Sequence, residues 1–159
     1  AFRLDAASDV WEQRSTGLPR TDGQPQEGCC PEPGVSEVDV RDLVTLGDGS
    51  LLAATGWGVY RLPQAADRWE LRSTGLFNRD INRLLRHPSD SSTVLAAARG
   101  RAEAREWLFL SEDGGRTWFP VVSRLEARTV VDLAWSDAAA FEVIVLLEAQ
   151  GLWRMELDP

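Results

Sequence analysis

The stretch Ser111-Glu112-Asp113-Gly114-Gly115-Arg116-Thr117-Trp118 limits the fold more than any other part of the chain, because its residue types fit a tight β-hairpin turn. Two adjacent glycines supply the positive-φ positions such a turn needs, and Asp113 is a short acceptor placed for the backbone N–H groups of the turn. Ser111 and Thr117 can satisfy further backbone groups. Trp118 opens the returning strand with a large apolar face to pack.

Internal repetition decides a fold before any local reading does. Phe109 stands nine residues before Trp118, and the same nine separate Tyr60 from Trp69 and Phe2 from Trp11. Phe2-Arg3-Leu4 echoes Tyr60-Arg61-Leu62, and Trp11-Glu12-Gln13-Arg14-Ser15-Thr16-Gly17-Leu18 echoes Trp69-Glu70-Leu71-Arg72-Ser73-Thr74-Gly75-Leu76. These two copies lack the Ser, Gly-Gly and Thr of the turn, although Asp9 and Asp67 stand nearby. A fourth start appears at Gly151-Leu152-Trp153-Arg154-Met155, which matches Gly58-Val59-Tyr60-Arg61-Leu62. The pattern of Ser111, Asp113, Gly115, Thr117 and Trp118 resembles the Asp-box, or BNR, repeat of sialidase-like and sortilin-like β-propellers. The resemblance implies four-stranded antiparallel blades, a structural role for Asp113, and an extracellular, periplasmic or cell-surface location. It marks architecture rather than activity.

The repeats predict an all-β chain, a single β-propeller segment over residues 1–159. A partial blade at 1–18 is followed by a loop at 19–37. One blade covers 38–75, with strands at 38–46, 50–55, 59–62 and 69–73. A second covers 81–122, with strands at 81–86, 93–98, 107–110 and 118–122. A partial blade at 129–157 has strands at 129–135, 141–147 and 152–157. Second strands such as Leu51-Leu52-Ala53-Ala54 and Val143-Ile144-Val145-Leu146-Leu147 are apolar on both faces, which suits strands held between neighbouring blades. About three to four blades form an open arc, which leaves strand edges and apolar faces uncovered. The arc is then part of a larger ring, or closes on other copies or a partner. Residues 11–15 could also complete the last blade, two copies then making about six blades.

With 43% hydrophobic and 26% charged residues the chain is globular. No apolar run approaches the ~18 residues of a membrane span. A net charge of −8 argues against nucleic acid as a partner, since phosphate binding needs clustered cations. All 17 basic residues are arginine. Resemblance to sialidases would imply an arginine triad, a tyrosine nucleophile with a glutamate partner and an aspartic acid donor, but Tyr60 is the one tyrosine and falls on a repeat-core position. No phosphate loop, Ser-His-Asp set, cofactor motif or metal constellation is present, and His87 is the one histidine. The expectation is a non-catalytic module for protein or glycan binding and assembly. The alternatives are part of a glycoside-acting enzyme and a structural subunit of a larger complex.

Antiparallel order puts the loops from strand four to one and from strand two to three at one end of the blades, and the Ser111–Trp118 turn at the other. The first end gathers Trp57, Phe77, Arg79, Arg99, Arg101 and Arg105, with Arg20, Arg124 and Arg128 nearby, as candidate ligand-binding residues for an acidic protein or glycan. Glu103 and Glu106 offer the blander reading of a solvated, salt-bridged surface. Cys29 and Cys30 form a vicinal disulfide, pair outside the chain, or stay a plain thiol pair; no metal is expected there, because two thiolates alone make a poor zinc site.

Overall fold

A computed structural model describes residues 2–5, 10–20, 39–99, 107–121, 129–136 and 142–157. Cys29, Cys30, Arg101, Arg105, Arg124 and Arg128 lie outside the described residues. The strands are β1 (Phe2–Asp5), β2 (Val10–Gln13), β3 (Asp42–Thr45), β4 (Leu51–Thr55), β5 (Gly58–Leu62), β6 (Glu70–Leu71), β7 (Ile81–Arg86), β8 (Val94–Ala98), β9 (Leu108–Ser111), β10 (Phe119–Pro120), β11 (Val130–Trp135), β12 (Glu142–Leu147) and β13 (Gly151–Glu156). No helix occurs among the described residues. The strands form four antiparallel sheets of two, four, four and three strands, each paired in chain order.

The register carries the repeat into three dimensions. Tyr60 pairs with Leu71 and Arg61 with Glu70, and Phe2 pairs with Gln13 and Arg3 with Glu12 in the same relation. β1 and β2 therefore stand as third and fourth strands of a blade. First strands β3, β7 and β11 lie side by side. Asp42 accepts a hydrogen bond from the Leu84 N–H at 2.8 Å across one gap, and Asn82 donates to the Val130 carbonyl across the next. The hydrophobic cores lie between sheets: Leu52, Ala54 and Val59 meet Leu84, Phe109 and Trp118, while Leu95, Ala97 and Leu108 meet Leu133, Val143 and Val145. Sheets standing radially, inner strands adjacent and faces stacked, make a partial β-propeller.

The recurrent Arg-Ser-Thr-Gly-Leu has a physical reason. The Trp69 main-chain N–H donates to the Thr16 carbonyl at 2.9 Å, and its indole N–H donates to the Arg14 carbonyl at 2.9 Å. Trp118 repeats both bonds, its main chain to Thr74 at 2.9 Å and its indole to Arg72 at 2.9 Å. Gly17 and Gly75 sit at φ +88° and +90°, and a Cβ on either would run into the carbonyl of the latched tryptophan. Leu18 and Leu76 close each junction as buried residues.

Three differences from the sequence expectation follow from these contacts. The fourth strands span two residues rather than 69–73 and 118–122, because each tryptophan bonds the preceding blade instead of its own third strand. The first strand begins at Asp42 rather than residue 38. Asp39 and Arg41 ahead of it enter an ion-pair chain, although the Arg41 N–H still reaches the Ala54 carbonyl at 2.9 Å. β12, apolar on both faces by sequence, alternates between buried and half-buried residues because one face alone is covered.

Candidate functional site

At one end of the blades lies the acidic turn. Asp113 Oδ1 accepts the N–H groups of Arg116 at 2.8 Å and Thr117 at 2.9 Å, together with the Ser111 hydroxyl at 2.9 Å. Its Oδ2 accepts the Thr117 hydroxyl at 2.6 Å, and Ser111 Oγ accepts the Gly115 N–H at 2.8 Å. Gly114 and Gly115 take φ +70° and +80°, the backbone shape that required them. Burial pushes the Asp113 carboxyl up, but the bonds from Thr117, Ser111 and Arg116 outweigh it and hold the group below its ordinary range. Trp118 is buried. Ser111, Asp113, Gly115 and Thr117 are thus occupied in holding one turn, and Trp118 in joining it to the preceding blade.

That turn forms a wall of a cleft of about 370 Å³, with the turns at Gly47-Asp48 and Ser91-Ser92 and with Arg61 as its floor. Arg61 is buried on β5, one blade away. Its guanidinium pairs with Asp48, donates to Ser50 Oγ at 3.2 Å and reaches the Gly114 carbonyl at 3.5 Å, while its Nε finds no acceptor. Glu112 and Arg116 at the rim add one charge of each sign. The arrangement fastens the acidic turn of one blade to the preceding blade. Sequence reasoning placed the ligand end elsewhere and missed this cleft. Its one signal was the aromatic-Arg-apolar triplet that places Arg3, Arg61 and Arg154 alike.

At the opposite end the chain brings together four residues singled out from the sequence. The Asn78 side-chain amide donates to the Arg99 carbonyl at 2.9 Å, and the Arg99 N–H donates to the Asp80 carbonyl at 2.8 Å. The 77–80 loop and Arg99 are therefore neighbours. Arg41 bridges Asp39, at 3.1 Å, and Asp80, while Asp39 accepts the Gly56 N–H at 2.7 Å. Trp57 is thereby tied to the same end. Phe77 is 78% and Trp57 46% exposed, figures far above those of core aromatics, and Arg79 and Arg99 are exposed beside them. Arg20 is half-buried.

Tyr60 is half-buried against Leu18 and Trp69, where burial raises its phenol above the ordinary value and the positive field of Arg79 opposes the rise. His87 lies in the turn between β7 and β8, at the acidic-turn end. Its Nδ1 accepts the Asp90 N–H at 3.1 Å, and its ring meets Trp135 edge-on at 4.6 Å. Among the described residues no group of three His, Cys, Asp or Glu side chains is placed to hold a metal ion. No helix among them is long and apolar enough to cross a membrane.

Comparison with protein-family models and with curated proteins gave no match. Among solved structures, the chain resembles an ancestral GH74 enzyme with a TM-score of 0.54 and 18% identity, over 87% of this chain and 15% of that one. It also resembles the GH74 enzyme of Niastella koreensis with a TM-score of 0.55 and 16% identity, over 72% of this chain and 19% of that one. The chain spans less than a fifth of either enzyme. At such identity the likeness speaks for the fold alone, and it agrees with propeller architecture.

Proposed function

We propose that this chain is a non-catalytic binding and assembly module of an Asp-box β-propeller, working outside the cell or at its surface. Its ligand end is the one bearing Trp57, Phe77, Arg79 and Arg99. The observation that carries the reading is the exposure of Phe77 and Trp57 beside exposed arginines on loops that Arg41 and Asn78 fasten together. Rigid loops present aromatic area at low entropic cost, and guanidinium groups grip carboxylate or sulfate in paired hydrogen bonds. The ligand class is an acidic protein surface or an acidic glycan. Binding to immobilised heparin tests it. Arg79→Glu with Arg99→Glu should weaken retention at least tenfold and flatten its salt dependence, with thermal stability nearly unchanged. Retention equal to that of the parent chain would remove the arginine end from consideration.

The likeness to GH74 enzymes favours a second reading, a portion of a glycoside-acting protein. Release of reducing ends from a panel of polysaccharides by this chain would put that reading first.

A further inference from the structure

We propose that the cleft at the acidic-turn end is a binding site in its own right, and that it takes a neutral, polyhydroxylated ligand about the size of a sugar ring. It lies at the end opposite Trp57 and Phe77 and does not depend on the reading given for that end.

The walls of the cleft are held by main-chain contacts within and between two complete blades. The Gly47-Asp48 turn belongs to the β3–β6 blade, and the Ser91-Ser92 and Ser111–Trp118 turns belong to the β7–β10 blade. The Gly114 N–H donates to the Ser92 carbonyl at 2.8 Å, which locks the two turns of the second blade together. Ser91 stands so close to Gly47 that a Cβ on the glycine would overlap its side chain. The space is therefore pre-formed, and at about 370 Å³ it falls near the lower end of small-ligand pockets, which run from about 300 to 1,000 Å³.

Fastening the blades uses only part of the polar capacity gathered here. The Arg61 side chain is 9% exposed. Its Nη2 is committed to Asp48 and to Ser50 Oγ, but Nη1 reaches only the Gly114 carbonyl, at 3.5 Å, and Nε reaches nothing. A contact of that length is at the outer limit of a hydrogen bond, so the floor keeps a donor in need of an acceptor. Asp48 is held ionised, chiefly by the Ser50 N–H against the opposing effect of burial and further by Arg61, and its side chain is 55% exposed. The side chains of Ser91, Glu112 and Arg116 have no bonding partner among the described residues. Asp113, by contrast, is spent on its own turn.

The open groups alternate in sign, Arg61 beside Asp48 and Arg116 on one turn with Glu112. An anion brought to either guanidinium meets the neighbouring carboxylate, and a cation meets the converse. An apolar ligand would leave the floor dry and unpaired. A hydroxyl is neutral, and it accepts from a guanidinium while donating to a carboxylate. Adjacent hydroxyls on one small ring therefore answer the whole lining.

An NMR titration of the isotopically labelled chain with glucose, xylose and inositol provides the test, with phosphate and glutamate as the charged probes. At least one neutral probe should move the Gly47, Gly114 and Gly115 amide signals along a saturable curve, and the charged probes should move them less. Glu112→Ala with Arg116→Ala removes two rim groups while the Arg116 N–H keeps its bond to Asp113. It should weaken that binding at least about tenfold, the loss of hydrogen bonds to charged groups, with the dispersed amide spectrum retained. If that chain does not fold, Ser91→Ala with Glu112→Gln takes its place. No saturable shift at these amides with any neutral probe would overturn the proposal, as would a stronger response to phosphate or glutamate. Parent-like binding by the rim variant, or shifts confined to the Trp57 and Phe77 end, would overturn it too. Heparin retention reads the opposite end and is decided separately.

Discussion

Two faces of the molecule have the same design and opposite fates. The side of the β3–β6 blade turned to the next blade places Leu52, Ala54 and Val59 wholly out of solvent. The matching side of the last blade leaves Leu152 and Asp132 largely in solvent. Strand geometry is the same in both, so exposure is set by the neighbour and not by the strand. A blade in this chain is a repeat unit that cannot bury its own surface, and stability resides in the junctions.

The largest effects are expected where a junction is sealed by a large ring. Trp69→Ala or Trp118→Ala should cost about 3–5 kcal/mol by loss of a buried indole, more than any substitution on the open face. Chemical denaturation of each variant measures it, and a loss under ~1 kcal/mol would mean that the latches are not what joins the blades.

The comparison is sharpened by matched substitutions. Leu52→Ala in the covered face should destabilise by about 2–5 kcal/mol, whereas Ile144→Ala, in the same register, should cost the isolated chain about 1 kcal/mol or less. Equal losses at low protein concentration would show that the last face is covered after all.

Asp113→Ala tests the covering side. It should destabilise by about 1–3 kcal/mol, because the Arg116 and Thr117 N–H groups and the Thr117 hydroxyl lose their acceptor. The effect should fall on the junction with the β3–β6 blade, where a Cβ at Gly115 would meet Leu52 at 2.8 Å. A loss of heparin retention at unchanged stability would contradict the structural role of this residue.

The smallest effect is a pH dependence. The Asp90 carboxyl is held at about 2 by the Ser92 and Thr93 hydroxyls and the Ser92 N–H, and Asp113 is also held low. A carboxyl lowered by folding stabilises fully above its unfolded pKa, about 4, and loses that contribution as pH falls through its folded value. Stability should therefore decline between about pH 4 and pH 2, and Asp90→Asn should flatten that slope. A slope unchanged by the substitution would assign the acid sensitivity to other carboxyls.

Much of the fold was legible because the repeat is written in local spacings. The nine-residue step from aromatic to tryptophan fixes a third strand, a turn and a fourth strand, and Gly-Gly with Asp113 fixes the turn. The cleft and the blade junctions were not legible. Arg61 meets Asp48, Ser50 and Gly114 from separate turns, and Asp42 reaches Leu84 from another sheet. Nothing within either local segment indicates such a partner. The short fourth strands escaped notice for the same reason, since the acceptors of Trp69 and Trp118 lie a whole blade earlier.

Those two latches also give the chain a direction. Each tryptophan seals onto carbonyls that precede it in sequence, so during synthesis every finished blade closes against one already made. The segment ending at Val121 contains every donor and acceptor of both seals. A fragment starting at Asp39 would instead leave the indole of Trp69 without the Arg14 carbonyl it requires, so shortening from the front costs a seal that shortening from the back preserves.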